Sequence, residues 1–386
     1  MSQLTVANPF ASLDVARLRQ RTSAKWTVYP DDVLPLWVAE MDAVIAPQIA
    51  AAVQEALENG DTGYPFGPAY ANALASFASD RWGWTFDPAA TSMVADVMSG
   101  VKEVSRAIGA IGANDAAIIV TPPVYPPFFM VANKLGRPIV EAPLDAEGRL
   151  DEAALEAAFT EATAGGRSAI MLLCNPHNPT GTVHTRAELE MLASLARKHG
   201  VRVVSDEIHS PLIMPTATFT PYLNVAGSEH DFAVVSASKG WNLAGFKAAL
   251  VVAGSDAADE LKSFGLYGAG HIAVIAHTAA FNHARDWLDG AIAGIDANRQ
   301  LLGDLLETHL PEVRYQLPEA TYLAWLDCRD LGLGDDPAAA FLENSRVALS
   351  AGTGFGAEGN GFARLNLATS PEILTEAVER MANVRN

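Results

Sequence analysis

The chain has 386 residues, of which 49% are hydrophobic, so it can bury a large core and is expected to divide into two domains. Its 45 acidic residues outnumber its 26 basic residues and give a formal net charge of −19, which would repel a phosphate backbone or an anionic membrane. Nucleic acid and membranes are therefore not expected as partners.

The first twenty residues contain no basic stretch followed by an apolar core, and no eighteen apolar residues run together anywhere. We therefore expect a cytoplasmic protein. The two cysteines, Cys174 and Cys328, lie far apart and without metal-site spacing, so both are expected to be buried small apolar side chains and no metal is expected.

Between residues 90 and 270, short β-rich runs alternate with helical patterns, which predicts an α/β domain with a largely parallel sheet. The strand-like runs are AAIIV, SAIMLLC, VRVVS, FAVVS and AALVVA. One connecting helix is legible in detail, because Thr185 and Glu188 form a capping box and Gly200 supplies a stop.

After Gly270 the pattern changes to two long helical stretches, HIAVIAHTAAFNHARDWL and AIAGIDANRQLLGDLLETHL, followed by short strands at YLAWLD and ARLNLA. This change predicts a second, smaller α+β domain. We divide the chain into an N-terminal segment that packs with the small domain (1–45), a large domain (46–275) and a small C-terminal domain (276–386).

Lys239 follows the apolar run 232–235, where a side chain would project from the carboxyl edge of a parallel sheet, the usual ligand crevice of such folds. A lone lysine there could equally be a surface residue. Two hydroxyls, of Ser236 and Ser238, and a second cation, Lys247, suit an anion such as phosphate. A lysine beside a phosphate site suggests a Schiff base.

Two other predicted strands end in polar residues at the same edge. Asp206 could keep a pyridine nitrogen protonated, or it could be a helix cap or a surface acid. Asn178 lies in the loop CNPHNPTG, which two prolines make rigid, and its amide could donate to a phenolate oxygen. The alternative for that loop is an ordinary turn.

The stretch MSGVKE puts Ser99 and Gly100 just before a helical run, where free backbone N–H groups and the helix dipole would face an anion. Tyr125, between the proline pairs of TPPVYPPF, could hold its ring against a flat cofactor or be a core tyrosine.

Eight motifs together resemble one known family. In chain order they are LPLWVAEMD, GYPFGPAY, PVYPPF, NPHNPTG, SDEIHSPL, SASKGWNLAG, EATYLAWLD and ARLNLA. Their order and spacing are similar to those of the fold type I enzymes that depend on pyridoxal 5′-phosphate (PLP), in the aspartate aminotransferase superfamily. Within it they resemble the cystathionine β-lyase-like C–S lyases.

The resemblance implies a homodimer with shared active sites, a small amino-acid substrate and a role for each matching residue. Lys239 would carry PLP as a Schiff base, Asp206 would pair with the pyridine nitrogen and Tyr125 would stack on the ring. Asn178 would contact the ring hydroxyl, and Tyr64 would reach the phosphate of the other subunit. The phosphate of the same subunit would be held by Ser236, Ser238 and the amides of Gly100 and Val101. His209 and Lys247 would also contact the cofactor. The substrate contacts would come from Arg364 at the α-carboxylate, Ala39 and Asn178.

Two positions depart from the wider aminotransferase pattern. His209 stands where many aminotransferases have a tyrosine, and Lys247 stands where many have an arginine. The resemblance favours α,β-elimination from cystathionine or a related L-cysteine S-conjugate, giving pyruvate, ammonia and a thiol. The alternatives are an aminotransferase of a small neutral amino acid or an amino-acid-like alcohol phosphate, and a regulator that acts through contacts with a transcription factor.

Overall fold

The computed structural model describes residues 8–110 and 116–385. Its α-helices are α1 (Val15–Leu18), α2 (Ala24–Thr27), α3 (Pro47–Glu58), α4 (Ala69–Trp82), α5 (Val97–Ala110), α6 (Pro127–Leu135), α7 (Glu152–Ala162), α8 (Arg186–His199), α9 (Ala258–Ser263), α10 (His271–His283), α11 (Arg285–His309), α12 (Pro337–Ser345) and α13 (Pro371–Met381).

Its β-strands are β1 (Leu34–Pro35), β2 (Thr91–Val94), β3 (Ala117–Val120), β4 (Ile139–Glu141), β5 (Ala169–Cys174), β6 (Val201–Asp206), β7 (Phe232–Val235), β8 (Ala249–Ala253), β9 (Arg314–Tyr315), β10 (Leu323–Asp327), β11 (Val347–Ala348), β12 (Ser350–Ala351) and β13 (Phe362–Asn366).

The central sheet has seven strands in the order β2-β8-β7-β6-β5-β3-β4. Strands β4, β3, β5, β6 and β7 pair in parallel, whereas β8 pairs antiparallel with both β7 and β2. All six residues of β5 are buried, as expected for a strand covered by helices on both faces. The predicted α/β class with a largely parallel sheet is confirmed.

Alternate residues of the parallel strands pack on opposite layers. Ile170 joins the apolar cluster that contains α5 and α6, whereas its neighbour Met171 joins the cluster that contains α7 and α8. Helix α8 begins at the predicted capping box of Thr185 and Glu188, and Gly200 ends it in the left-handed conformation. Both cysteines are buried and free, as predicted.

A smaller antiparallel sheet, in the order β12-β13-β10-β9, forms in the C-terminal region. The predicted strands YLAWLD and ARLNLA are its two central members. The short strand β1 of the N-terminal segment pairs in parallel with β11 of the same region.

The helical pattern after Gly270 breaks at a different place from the one predicted. The sequence pattern carried the first helix through Leu288, but α10 ends at His283 and α11 starts at Arg285. The carbonyl of Ala284, between them, accepts a hydrogen bond of 2.8 Å from the indole of Trp241. The predicted domain boundary at 275/276 falls inside α10, so we propose to place the change of domain in α11.

The carboxyl ends of β5, β6 and β7 meet beneath residues 37–43 (WVAEMDA), which we call the crossing segment. Its backbone bonds both to Asn242, beyond the end of β7, and to Asn366, at the end of β13. Among the described residues, no helix is long and apolar enough to cross a membrane, and no cluster of three or more His, Cys, Asp or Glu could hold a metal ion. The cytoplasmic location stays a prediction.

Candidate active site

A cavity of about 360 Å³ opens at the carboxyl edge of the central sheet. The predicted site residues that line it are Ala39, Tyr125, Asn178, Asp206, His209, Ser238, Lys239, Lys247 and Arg364. They come from four connections after the sheet strands, from the crossing segment and from β13. The fold therefore brings together most of the residues that the sequence singled out.

Four predicted residues lie outside the cavity wall: Ser236, Tyr64, Gly100 and Val101. Ser236 is fully buried behind Ser238, and its hydroxyl bonds to the Ser238 hydroxyl at 2.9 Å and to the Ala248 carbonyl at 2.8 Å. Ser236 thus supports Ser238, whose own hydroxyl reaches the cavity. Tyr64 is 96% exposed on this chain and takes no part in lining its cavity.

The predicted amides at Gly100 and Val101 need a correction. Helix α5 begins at Val97, about one helical turn earlier than the sequence suggested, and the Gly100 N–H donates to the carbonyl of Asp96 at 2.9 Å. The expectation that this amide is free is therefore wrong, and Val101, one residue further into the helix, is fully buried. Gly100 instead lets the helix pack on the sheet, because a Cβ there would lie 2.9 Å from a methyl group of Val234.

The N–H groups left at the start of α5 belong to Val97 and Met98, which line the cavity. Asp96 caps this end by accepting from the Ser99 N–H at 2.7 Å, and its other carboxylate oxygen lies 3.1 Å from Lys247 Nζ. A helix N-terminus beside a lysine and the Ser238 hydroxyl forms an anion-binding end of the cavity.

Lys239 is one of the residues that line the cavity. Its Nζ donates to the Ala39 carbonyl at 2.8 Å. Burial, helped by the Arg364 cation, lowers the pKa of Lys239 to about 8, because water no longer stabilises the ammonium. Part of the lysine is therefore an uncharged amine, and so a nucleophile and a base, near neutral pH.

Asp206 ends β6 and is almost fully buried. One carboxylate oxygen accepts from the Ile208 N–H at 3.1 Å. Burial raises the pKa of Asp206 to about 7, although that hydrogen bond and the nearby Lys239 cation oppose the rise. A cation placed against this carboxylate would hold it ionised.

Arg364 and Asn178 meet across the cavity. Nη1 of Arg364 donates to Asn178 Oδ1 at 3.0 Å, so the amide nitrogen of Asn178 is the group left to face a ligand. Nη2 of Arg364 donates to the Ser350 hydroxyl at 3.0 Å and to the Trp37 carbonyl at 3.3 Å. Burial lowers the pKa of Arg364 to about 10, so the guanidinium remains charged at neutral pH.

Tyr125 and His209 complete the walls. Burial raises the pKa of the Tyr125 phenol to about 12, so the ring is neutral. Burial, together with the Lys239 and Arg364 cations, lowers the pKa of His209 well below its usual value, so the imidazole is neutral as well. Its buried Nδ1 has no hydrogen-bond partner within the described part of the chain, which leaves a polar atom for a ligand to satisfy.

Sequence reasoning missed several wall residues: Trp37, Val38, Asp96, Val97, Met98, Cys174, Ile208, Ala244 and Ser350. It also missed Tyr322, whose hydroxyl donates to the Ala39 carbonyl at 3.0 Å, the same atom that accepts from Lys239. Most of these side chains are apolar or carry a common hydroxyl, so only their place in the fold distinguishes them. Trp37 and Tyr322 do lie within motifs already singled out.

The geometry fits one kind of ligand. The α5 end offers donors for an anion and Asp206 offers a carboxylate for a cation. Lys239 lines the same cavity, together with the neutral rings of Tyr125 and His209. Arg364 provides a second, separate anion site. An elongated, flat molecule with an anionic tail would satisfy these groups, and a small carboxylate would fit beside it.

Comparisons with known proteins extend over nearly the whole chain. The family model for aminotransferase class I and II matches residues 31–381. A Mycobacterium leprae protein named "Putative cystathionine beta-lyase" is 51% identical, over 97% of this chain and 98% of the relative. A Corynebacterium glutamicum cystathionine beta-lyase is 33% identical, over 96% and 99%. The solved structure of the PLP-bound C-S lyase from Staphylococcus hominis superposes with a TM-score of 0.87 at 25% identity, over 95% of this chain and 96% of that one.

Proposed function

This chain belongs to the aminotransferase class I and II family, and on that premise we propose that it is a PLP-dependent C–S β-lyase acting on L-cysteine S-conjugates such as cystathionine. The products would be pyruvate, ammonia and a thiol. The similarity to proteins named as cystathionine β-lyases supports the reaction class, and the sulfur-bearing substrate is the finer part of the proposal.

One observation carries the proposal. A half-buried lysine with a lowered pKa shares a single cavity with a buried carboxylate and a buried arginine, at the carboxyl edge of a parallel sheet. Withdrawing three ionisable groups from water destabilises a fold unless a ligand uses them. Amino-acid chemistry on a pyridine cofactor uses all three.

The residues present fit PLP. Lys239 would form the covalent link to its aldehyde, Asp206 would face the pyridine nitrogen, and Tyr125 would cover a ring face. Asn178 and His209 Nδ1 would face the ring hydroxyl. The phosphate would take Ser238, Lys247 and the amides of Val97 and Met98, with Ser236 holding Ser238 and Tyr64 of a second copy completing the site.

Bound PLP supplies an aldehyde that holds the substrate amino group and a ring that accepts electrons from Cα. Arg364 binds the substrate α-carboxylate and so fixes the direction of the Cα–H bond. Lys239, once displaced, has its Nζ free to take the Cα proton, since its pKa lies near neutral pH. The same amine can then pass that proton to the departing sulfur.

Several wall residues of the cavity around Lys239 are apolar: Trp37, Val38, Met98, Ile208 and Ala244. Such a wall limits the access of water to Cα and accepts an aliphatic thioether chain. Elimination also needs only one substrate at a time, whereas transamination needs a keto acid to enter afterwards.

Transamination is the second candidate, because the family model covers aminotransferases and the same residues can move the Cα proton. The aminotransferase would use a small amino acid. The regulator role proposed from the sequence gains no support from the site, although catalysis does not exclude it.

One experiment distinguishes lyase activity from aminotransferase activity. The purified holoenzyme is incubated with L-cystathionine or an S-alkyl-L-cysteine as the only substrate, without a keto acid. A lyase releases pyruvate, ammonia and thiol in equal amounts over many turnovers. If turnover stops after one equivalent per site and an added keto acid restores it, the protein is an aminotransferase and the proposal is wrong.

A further inference from the structure

Residues 352–361 (GTGFGAEGNG), which we call the glycine-rich loop, connect β12 to the strand β13 that carries Arg364. The loop contains two short 3₁₀ helices, Gly352–Phe355 and Ala357–Gly359. Gly356 has a φ of +114° between them, and a Cβ there would lie 2.8 Å from Cβ of Pro122. Glycine therefore allows the loop to lie directly against the segment that leads to Tyr125.

Phe355 is the large side chain in this loop, and it contacts both halves of the site. Its ring is buried, and the guanidinium carbon of Arg364 lies 5.0 Å from the ring centroid. Its carbonyl accepts from the Val124 N–H at 2.8 Å, one residue before Tyr125. A single residue thus lies against the carboxylate-binding arginine and bonds to the segment that carries the ring-facing tyrosine.

Further aromatic rings hold Phe355 in place. Trp325 packs edge-on against it at 5.2 Å, and Phe362 stacks on Trp325 at 5.1 Å with an interplanar angle of 10°. Arg329 lies 4.9 Å over Phe362 and is paired with Asp327. The contacts run from Arg329 through Phe362 and Trp325 to Phe355, so the Phe355 ring has little freedom to turn.

The guanidinium of Arg364 needs this support because its hydrogen bonds alone do not fix its position. Its two terminal nitrogens bond to a side-chain amide, a hydroxyl and a backbone carbonyl, all of them uncharged. Its Nε is buried and has no partner in the described part of the chain. The Phe355 ring beside the guanidinium limits its movement without using any of its N–H groups, so the N–H groups that remain can bind a carboxylate.

We propose that Phe355 is a positioning residue that orients Arg364 for the substrate carboxylate and, through Val124, links carboxylate binding to the Tyr125 segment. The inference rests on the proposed function in one respect, the assignment of Arg364 to the substrate α-carboxylate. It adds a specificity role for a loop that contacts no reacting atom.

The test compares two ligands that differ by one carboxylate, L-alanine and ethylamine, neither of which has a β-leaving group. Their dissociation constants for the holoenzyme are measured by calorimetry and by the change in the cofactor's visible absorbance. In Phe355→Leu, alanine binds about tenfold more weakly whereas ethylamine binds within about twofold of the wild type. Phe355→Tyr, which keeps the ring face, retains the wild-type preference.

Phe341→Leu is the matched control, since Phe341 is equally buried on α12 of the same region, and it leaves the ratio of the two constants unchanged. If Phe355→Leu fails to fold, Trp325→Leu removes the ring behind Phe355 and should lower the preference for alanine in the same direction. An unchanged ratio, or an equal loss of both ligands, overturns the role of Phe355.

The two proposals fail in different ways. A wild-type enzyme that binds alanine and ethylamine equally overturns the carboxylate role of Arg364 and the role of Phe355 with it. A wild-type enzyme that prefers alanine but releases no thiol from cystathionine overturns only the lyase proposal.

Discussion

At the scale of one residue, Asp206 shows that a functional side chain can lower the stability of the fold. Its carboxylate is buried, and apart from the Ile208 N–H it has only the Lys239 cation to oppose the effect of burial on its pKa. In the protein without cofactor, the ionised form is therefore unfavourable. A carboxylate kept at such a position is expected to serve a bound cation, which is the role that the pyridine nitrogen would fill.

The first prediction concerns how the buried Asp206 carboxylate changes the stability of the cofactor-free protein with pH. The pKa of Asp206 rises from 3.8 in the unfolded chain to about 7 in the folded one, so the folded state binds more protons between these values. Its contribution to stability is present below the unfolded pKa and is lost as pH rises through 7. Asp206→Asn should therefore raise the melting temperature of the cofactor-free protein, and by more at pH 8 than at pH 5. A gain that is larger at pH 5 would contradict this.

The same variant, which should stabilise the cofactor-free protein, should impair the chemistry of the protein with bound cofactor. Asp206→Asn retains cofactor, because Lys239 and the anion site are untouched, but loses the carboxylate that keeps the ring protonated. We expect the exchange of the Cα proton of L-alanine with solvent, followed by NMR, to slow by about a hundredfold or more. Exchange near the wild-type rate would remove Asp206 from this role.

Lys239 carries the next prediction. Borohydride should fix the cofactor irreversibly on this lysine, and peptide mapping should find the label there. Lys247 is the matched control, since it also lines the cavity but is 64% exposed and paired with Asp96. Lys247→Met keeps the label on Lys239, whereas Lys239→Ala abolishes it. Label on another lysine in the wild-type protein would reject the assignment.

At the scale of an element, the crossing segment holds the Ala39 carbonyl at Lys239. Side chains bond to successive carbonyls along it: Arg364 to Trp37, Asn366 to Val38 and Glu40, Lys239 and Tyr322 to Ala39, and Arg21 and Asn242 to Met41. The segment forms neither helix nor strand, so these bonds satisfy a backbone that secondary structure does not.

A buried ion pair anchors the end of the crossing segment. Lys25 Nζ lies 2.8 Å from Asp42 Oδ2, both side chains are inaccessible to water, and the Trp26 indole donates to Asp42 Oδ1 at 2.8 Å. Removing one partner leaves an unpaired buried charge, so Asp42→Asn should destabilise the protein by about 3–5 kcal/mol. Chemical denaturation measures this.

Two variants check that explanation. The double change Lys25→Met, Asp42→Leu removes both charges and should recover much of the lost stability. Asp32→Asn breaks the exposed pair with Arg346 and should have little effect. If Asp42→Asn were no worse than Asp32→Asn, the ion pair would not anchor the segment.

At the scale of the whole molecule, three aromatic side chains of the described residues are almost fully exposed to solvent. Tyr64 is 96% exposed, Phe66 98% and Tyr267 88%. Contiguous exposed apolar surface marks interaction sites, and Tyr64 and Phe66 lie two residues apart in one loop. They favour the predicted homodimer, in which Tyr64 of each copy would reach the phosphate of the other.

Complementation tests the shared site. Lys239→Ala and Tyr64→Ala are each prepared as homodimers with low activity at limiting cofactor, then mixed under conditions that exchange subunits. A hybrid dimer contains one site with Lys239 and Tyr64 both intact, so activity should reappear, with sedimentation showing a dimer. No recovery from a demonstrated hybrid would mean that Tyr64 serves its own chain or no site at all.

The sequence by itself determined the class of fold and the residues whose chemistry stands out. Buried runs such as AIMLLC and the capping box before α8 are local signals. Asp206 is a polar residue at the end of a strand, Lys239 follows one, and Arg364 lies within the motif ARLNLA. What only the tertiary structure decided is which ordinary residues join them, Tyr322 and Phe355, and that the Ala39 carbonyl bonds to Lys239. The start of α5, and with it the choice of Val97 and Met98 over Gly100, follows from a local signal that the sequence analysis overlooked, because its cap Asp96 lies three residues before Ser99. The place of Phe355 depends instead on the packing of a distant loop against Val124 and Arg364. The bonds of Phe355 to Val124 and of Tyr322 and Lys239 to Ala39 join residues far apart in the chain. The local sequence pattern carries no information about such contacts, because they are set by how the layers pack.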